Sequence, residues 1–450
     1  MAIDRRRFLA LTGSGAGFAL SGSLGSLLPA SPAMARPGGP GYGDLVPDPD
    51  GLLDLPRGFH YEVFSREAVD VLDDGSPVPA SHDGMAAFAA RSGRVALVRN
   101  HELEPEDVTD EGLTAVSHAI GMTYDADVLA GGTTTLVVNG RRRVEAARVS
   151  LAGTVDNCAG GPTPWGTWLT CEESFTDLGR RHGYVFEVDP VDGGNPVPIT
   201  AMGRFEHEAV AFGRGGMAYL TEDAGGEDLK HGLVYRFSPA ASRLGRGALH
   251  QGGVLEAMKV PALTGTDLSV VDEPGSVFDV DWTPVAQADP DEDEIRFVTD
   301  ATPVFKAEGI WRGRGSIWFV SSYALGPDAE DPEDVTDGVH GGQIWRYDER
   351  ARQIELVALF SAGGPFDGPD NITVTPYGYA LACTDGEDDQ WLVGIGEGGE
   401  VFPFGFNRLN DSEFAGATFS PDGRTLFANL QEPGHTFAIY GPWRAVGRRH

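Results

Sequence analysis

Residues 83–102 read DGMAAFAARSGRVALVRNHE, and the order of residue types in this stretch indicates the fold. A polar residue that can bind a metal precedes a short apolar strand, a turn containing glycine follows, and a second strand ends in polar or acidic residues. The same order begins again at five later positions, which are Cys158, Glu208, Glu308, Asp370 and Glu413. Hairpins repeated in this way are typical of propellers, whose blades surround a central channel. The sequence therefore predicts an all-β protein, a six-bladed β-propeller forming a single domain with loop insertions.

Further strands are expected outside these hairpins. Five segments between them read as outer strands, namely TTTLVVNG, GYVFEVDP, GLVYRFSP, QIWRYDE and WLVGIG. GFHYEVFS, at residues 58–65, is predicted to close the ring by pairing with C-terminal strands. Two acidic stretches, QADPDEDE and GPDAEDPEDVTDG, are predicted to be solvated loops or insertions.

The charge of the chain limits its partners. There are 67 acidic and 34 basic residues, which gives a net charge of −33. Such a surface repels nucleic acids and anionic lipids, so neither is expected as a partner. Solubility accounts for most of the acidic excess, but part of it lies on the repeated hairpins, where solubility does not require it.

The N-terminus carries the features of an export signal. RRRFL at residues 5–9 matches a twin-arginine pattern, and Ala33-Met34-Ala35 forms a cleavage site of the A-x-A type. The predicted organisation is a signal peptide at 1–35, a flexible leader at 36–50 and the propeller at 51–450. No later segment has the length and apolarity to span a bilayer. We expect a monomer that the twin-arginine translocation machinery delivers, already folded, to the periplasm, the cell envelope or the medium.

The repeated polar residues are expected to meet at one end of the channel. The residue before the first strand of a hairpin and the residues after the second strand share one rim. Carboxylates crowded there repel each other unless cations neutralise them. An acidic residue beside a strand can equally cap a turn, but six coincident positions favour a metal site. Carboxylate oxygens favour calcium, and a thiolate among them admits iron.

The three cysteines, Cys158, Cys171 and Cys383, leave two interpretations open. Cys158 and Cys171 flank one hairpin, so a disulfide between them is one possibility in an oxidising compartment. The other is that a thiolate binds a metal.

Several motifs carry a resemblance to a known family. They include NCAGG at residues 157–161, TPWGTW at 163–168, TCEE at 170–173 and FKAEG at 305–309. Together with matching residues around Glu208, Asp370 and Glu413, they make residues 80–435 resemble the PhoX alkaline phosphatases. The resemblance implies a six-bladed propeller that hydrolyses small phosphate monoesters with iron (Fe³⁺) and calcium at the channel mouth.

The resemblance also implies roles for particular residues. Metal ligands would be Cys158, Glu173, Glu208, Glu308, Asp370 and Glu413, with Cys171 as the alternative thiolate. Lys306 and Glu308 would act in catalysis. Lys306 stands where the family leads us to expect an arginine, and a lysine binds phosphate without the bidentate fork. Lys306 could instead serve only as an ion-pair partner of a rim carboxylate.

Two other functions fit the same architecture. One is a calcium-dependent propeller that hydrolyses lactones or other esters and needs no cysteine in its site. The other is a non-catalytic propeller whose ions are structural and whose rim binds partners.

Overall fold

The computed structural model describes residues 41–223, 231–291, 300–325, 338–386 and 389–444. The predicted signal peptide, residues 292–294 of the first acidic stretch and residues 326–337 of the second lie outside these ranges. No helix among the described residues is long and apolar enough to cross a membrane.

Six antiparallel sheets of four to six strands succeed one another along the chain, and each begins with one of the predicted hairpins. Blade 1 consists of His82–Ala89, Val95–His101, Gly131–Val138 and Val144–Thr154. Blade 2 consists of Gly160–Pro162, Trp168–Cys171, Val185–Asp189 and Gly193–Gly194. Blade 3 consists of His207–Phe212, Ala218–Glu222, Val234–Pro239, Gly253–Lys259 and Asp281–Pro284. The six-bladed propeller and the five outer strands are thus as predicted.

The other three blades follow the same plan. Blade 4 consists of Ala307–Arg312, Ser316–Ser321, Gly342–Asp348, Gln353–Phe360 and Val277–Asp279. Blade 5 consists of Pro369–Val374, Ala380–Thr384, Trp391–Ile395, Val401–Asn407, Leu53–Pro56 and Leu45–Val46. Blade 6 consists of Phe414–Phe419, Thr425–Leu430, His435–Tyr440 and His60–Arg66.

Short elements connect the blades. Among the described residues, two ribbons lie outside the six sheets and pair His231–Gly232 with Val304–Phe305, and Ala324–Leu325 with Gly338–His340. The helical elements of the described ranges are single turns, at Arg91–Gly93, Asp107–Glu111, Thr200–Met202, Arg214–Gly216, Ala248–Gln251, Pro261–Leu263 and Leu268–Val270.

The N-terminal part of the chain closes the ring in two places. His60–Arg66 pairs with His435–Tyr440 in blade 6, as predicted. Leu53–Pro56 also pairs with Val401–Asn407 in blade 5, which the sequence did not indicate. Residues 41–50, assigned to a flexible leader, are described as part of the fold: Leu45–Val46 pairs with Leu53–Pro56, and the Tyr42 hydroxyl donates to the Trp443 carbonyl at 2.8 Å. Tyr42 is held there because its ring packs against buried aromatic side chains.

The innermost strands pack backbone to backbone around the channel. Gly84 of blade 1 donates its N–H to the Cys158 carbonyl at 2.8 Å, and a Cβ at position 84 would lie 2.7 Å from that oxygen. A Cβ at Gly309 in blade 4 would lie 2.8 Å from the Asp370 carbonyl oxygen in blade 5. At these two positions the absence of a side chain lets neighbouring inner strands approach each other closely.

Replacing Gly161 with alanine should destabilise the propeller. An alanine Cβ there would lie 2.6 Å from the carbonyl carbon of Val210 in the next blade, and backbone cannot give way as a flexible side chain can. We expect a loss of about 1–3 kcal/mol or more in the free energy of unfolding, measured by urea denaturation. The control is Gly140→Ala in an open turn, where an added Cβ meets nothing within 4 Å. Equal stability of the two variants would contradict this packing.

Candidate metal centre

Within the part of the chain that the structure describes, nine metal-ligand-type side chains meet at one end of the channel. They form four groups, in each of which the ligand atoms all lie within 4.8 Å of one another. The groups are Cys158–Glu173–Glu208, Glu208–Glu308–Asp370, Asp370–Asp385–Glu413 and Asp83–Glu102–Glu413. Because Glu208, Asp370 and Glu413 each belong to two groups, the four form one continuous cluster.

The structure brings all six sequence-predicted metal ligands into this cluster. It adds three carboxylates, Asp83, Glu102 and Asp385, which were not among the predicted ligands. The sequence signal for them was their position at the ends of hairpins in blades 1 and 5. The ligand roles of the nine residues stay predictions.

Local irregularities in the inner strands aim these side chains at the cluster. Pairing shifts in register between His207 and Val210, between Ala307 and Ile310, and between Pro369 and Ile372, and a similar shift occurs at the start of blade 1. The acidic residue of each hairpin lies inside the shift. A β-bulge of this kind redirects a side chain that the regular strand would point elsewhere.

Cys158 is the thiol of the cluster. Its Sγ lies 2.9 Å from Oε2 of Glu208 and 3.4 Å from the carbonyl oxygen of His207. Burial, and then the carboxylates of Glu208 and Glu173, raise the pKa of Cys158 well above its usual value. A thiolate at this position consequently requires a neighbouring cation.

The other cysteines lie in the apolar cores of the blades. Cys158, Cys171 and Cys383 are all buried free thiols, so no disulfide joins Cys158 and Cys171. Cys171 packs with apolar residues such as Val185 and Leu220 and belongs to none of the four groups. Of the two candidate thiols, the structure therefore brings Cys158 to the cluster and leaves Cys171 in the core.

The electrostatics of the cluster favour bound cations. Burial first, and then neighbouring carboxylates, raise the pKa values of Glu208, Asp83 and Glu413 well above the usual range. Among the described residues, the buried Oε1 of Glu208 has no hydrogen-bond donor. A buried oxygen of this kind is costly unless a cation or a proton satisfies it. The residues present therefore fit metal ions that bind oxygen and sulfur.

Lys306 lies beside the cluster in an unusual backbone conformation. It is 7% exposed and has a φ of 42°, in the left-handed region, between the strands Val304–Phe305 and Ala307–Arg312. Its ammonium forms ion pairs with Asp223 and with Oε1 of Glu308, the latter at 3.0 Å. Strain of this kind persists where the surrounding structure over-determines it, often at functional sites. Because Glu308 belongs to the cluster, its ion pair holds the Lys306 ammonium beside the predicted metal ligands. A role of Lys306 toward a substrate bound there is therefore compatible with its ion pairs.

Four other rim residues have structural contacts instead. Glu222 accepts hydrogen bonds from the Leu233 amide and the Tyr235 hydroxyl. His101 bonds to the Ala80 carbonyl and the Thr134 hydroxyl, His207 bonds to the Gly203 carbonyl, and Glu172 accepts from His182 and from backbone amides. Both histidines are therefore engaged by hydrogen bonds within the protein and belong to none of the four groups.

The stability of the metal-free protein should fall as pH rises from about 4 toward neutrality. The raised pKa values of Glu208, Asp83 and Glu413 mean that the folded state holds protons that the unfolded state has lost. Each such proton changes the free energy of unfolding by about −1.4 kcal/mol per pH unit between the two pKa values. Bound cations should reverse this dependence. Urea unfolding at several pH values, with and without metal, measures both slopes.

Glu208→Gln provides the control for this effect, because the amide does not titrate. Its metal-free form should show a shallower decline of stability with pH than the wild type. An identical slope would mean that repulsion elsewhere on the acidic surface causes the decline.

Fold and site together define a six-bladed β-propeller with an acidic, thiol-bearing cluster at one end of its channel. The sequence profile described as alkaline phosphatase PhoX matches residues 40–434. The chain belongs to the PhoX alkaline phosphatase family and is a hydrolase of phosphate esters.

Solved structures resemble this fold at low sequence identity. Pseudomonas fluorescens PhoX in complex with vanadate, a transition-state analogue, aligns at a TM-score of 0.67 and 18% identity, covering 87% of this chain and 96% of that one. A gluconolactonase from Xanthomonas campestris aligns at a TM-score of 0.46 and 12% identity, covering 91% of this chain and 100% of that one. No curated protein matches the sequence.

Proposed function

We propose that this protein is an exported alkaline phosphatase that hydrolyses small phosphate monoesters with an iron and calcium centre. The observation that carries the proposal is the coexistence of two donor sets in one cluster. One contains a thiol, in Cys158–Glu173–Glu208, and the other three contain only carboxylates. Sulfur with oxygen donors suits iron, and oxygen donors alone suit calcium.

The donor sets suggest which residues would hold which ion. Cys158, Glu173 and Glu208 would hold iron, and the all-carboxylate groups around Asp370 and Glu413 would hold calcium. Bound there, the ions would supply Lewis acidity toward the phosphoryl oxygens and a nucleophile at neutral pH. They would also offset the negative charge that otherwise repels an anionic substrate.

Lys306 and Glu308 are the protein groups that we assign to catalysis. The ion pairs with Asp223 and Glu308 fix the Lys306 ammonium at the edge of the cluster. From there it would donate hydrogen bonds to the phosphoryl group as negative charge develops on it. Glu308 would connect Lys306 to the ligand group that Glu308 forms with Glu208 and Asp370.

Export by the twin-arginine machinery is part of the proposal. A protein that folds and takes up its metals before translocation would use this route, and a cluster assembled from all six blades requires a folded ring. Replacing Arg5 and Arg6 together with lysine should retain the protein in the cytoplasm, measured by fractionation. Unchanged export would exclude this pathway.

The decisive experiment uses protein purified after export from its native host. Metal analysis should find iron and calcium, and the protein should hydrolyse aryl phosphates. Protein that holds calcium without iron and leaves phosphate esters intact would overturn the proposal. Testing a lactone in parallel would then identify the calcium-dependent esterase alternative.

A further inference from the structure

We propose that Glu172 is a positioning residue that holds the whole thiol-bearing group, Cys158–Glu173–Glu208, in place. The part of this proposal that concerns iron rests on the proposed function above. Glu172 precedes the predicted ligand Glu173 directly, yet it lies in none of the four ligand groups. Its own contacts show what it does instead.

The carboxylate of Glu172 is fully buried and accepts four hydrogen bonds. Oε1 accepts from Nδ1 of His182 at 2.6 Å and from the Val155 amide at 3.1 Å. Oε2 accepts from the amides of Gly183 and Tyr184 at 2.9 and 3.1 Å. Four donors match the acceptor capacity of a carboxylate, so its oxygens are engaged by the protein rather than by a metal.

The side chain and the backbone of Glu172 together contact the segments that carry Cys158, Glu173 and Glu208. Val155 begins the turn that leads to Cys158. The amide of His207, the residue before Glu208, donates to the Glu172 carbonyl at 3.0 Å. The third member, Glu173, follows Glu172 directly, and its amide donates to the Asp156 carbonyl at 2.9 Å. One residue thus ties together three segments that are far apart in the sequence.

His182 anchors this arrangement on its outer side. Its ring is fully buried, with Nδ1 bonded to Glu172 and Nε2 at 3.6 Å from Oδ2 of Asp125. Because a carboxylate only accepts, Nδ1 of His182 carries the hydrogen. The histidine therefore fixes the direction of the Glu172 carboxylate. Groups that orient metal ligands in this way typically cost about 10- to 100-fold in metal affinity when they are replaced.

The test compares Glu172→Gln with Glu187→Gln. The first substitution keeps the size of the side chain but replaces one accepting oxygen with an amide donor, which cannot accept from its present partners. Glu187 provides a matched control in the same blade: it is 3% exposed and accepts from Trp165, Thr167 and the Gly247 amide, but it belongs to none of the four groups.

Each full-length protein is stripped of metal and titrated with iron in excess Ca²⁺. Iron affinity, the visible thiolate-to-iron absorption and the melting temperature are recorded.

Glu172→Gln should lower the iron affinity by about 10- to 100-fold and shift or weaken the absorption, whereas Glu187→Gln should change neither. His182→Gln, which removes the anchor alone, should produce the same spectral change to a smaller extent, and it serves as the test if Glu172→Gln does not fold. An unchanged affinity and spectrum in a folded variant would overturn the proposal, as would equal losses in Glu172→Gln and Glu187→Gln. Absence of iron binding in the wild type would instead overturn the proposed function.

Discussion

Replacing Cys158 with serine is expected to abolish iron binding, together with any colour that thiolate-bound iron confers. Cys158 is 4% exposed, and its sulfur lies 2.9 Å from a carboxylate oxygen of Glu208. Among the described residues, it is the only cysteine in the four ligand groups. A serine hydroxyl is a poorer ligand because it does not ionise at neutral pH. Phosphatase activity should fall by more than about 100-fold. Replacing a residue that only supports a metal ligand already lowers metal affinity or activity by about 10- to 100-fold, and Cys158 is a predicted ligand itself. Metal analysis, absorption spectra and aryl-phosphate kinetics measure these effects.

The other two cysteines provide the controls for this prediction. Cys171→Ser and Cys383→Ser place the same change in fully buried apolar positions. Both should lower the melting temperature while leaving iron content and absorption unchanged. If Cys171→Ser removed the iron and Cys158→Ser did not, the thiolate assignment would pass to Cys171.

Replacing Lys306 with methionine should lower kcat by about 100- to 1000-fold, the usual cost of removing one donor that stabilises developing charge. Methionine retains most of the volume of the buried stem but leaves Asp223 and Glu308 without their ammonium partner. Lys306→Arg should preserve activity, or improve KM, because a guanidinium can donate two parallel hydrogen bonds to a phosphate. Steady-state kinetics with an aryl phosphate separates kcat from KM.

Lys259→Met is the matched control, since Lys259 lies in an outer strand of blade 3 and pairs with Asp300 at 3.5 Å. It should leave kcat unaltered. If Lys306→Met also kept full activity while losing stability, Lys306 would be only an ion-pair partner of the rim carboxylates. This outcome would leave the metal assignment intact and remove Lys306 from catalysis.

Much of the architecture could be predicted because it is encoded locally. Each inner hairpin, such as the one from His82–Ala89 to Val95–His101, carries its own alternation of apolar residues and its own turn. Pairing of His60–Arg66 with His435–Tyr440 followed from the general need of a ring to close. The second closing strand, Leu53–Pro56, was missed because its four residues are too short to show a period.

The sequence predicted which residues form the site better than it predicted how they are arranged. Hairpin topology indicated that the rim residues converge, but it could not separate Glu172 from Glu173, which are adjacent in the sequence. Hydrogen bonds from His182 and three backbone amides engage Glu172, whereas Glu173 joins Cys158 and Glu208. Those donors come from parts of the chain that a local pattern does not relate.

The sequence by itself determined the number of blades, the end of the channel at which ligand-type residues gather and the resemblance to a phosphatase family. These properties repeat along the chain or reside in short motifs, so no tertiary information is required to recognise them. The tertiary structure alone decided which carboxylates share a group, which cysteine reaches the cluster and which hydrogen-bond donors engage each side chain. Such choices depend on β-bulges and on contacts between segments that are far apart in the sequence, such as Asp83 and Glu102 of blade 1 with Glu413 at the start of blade 6. A local sequence pattern does not relate such segments, whereas coordination requires their atoms to lie within a few ångströms of each other.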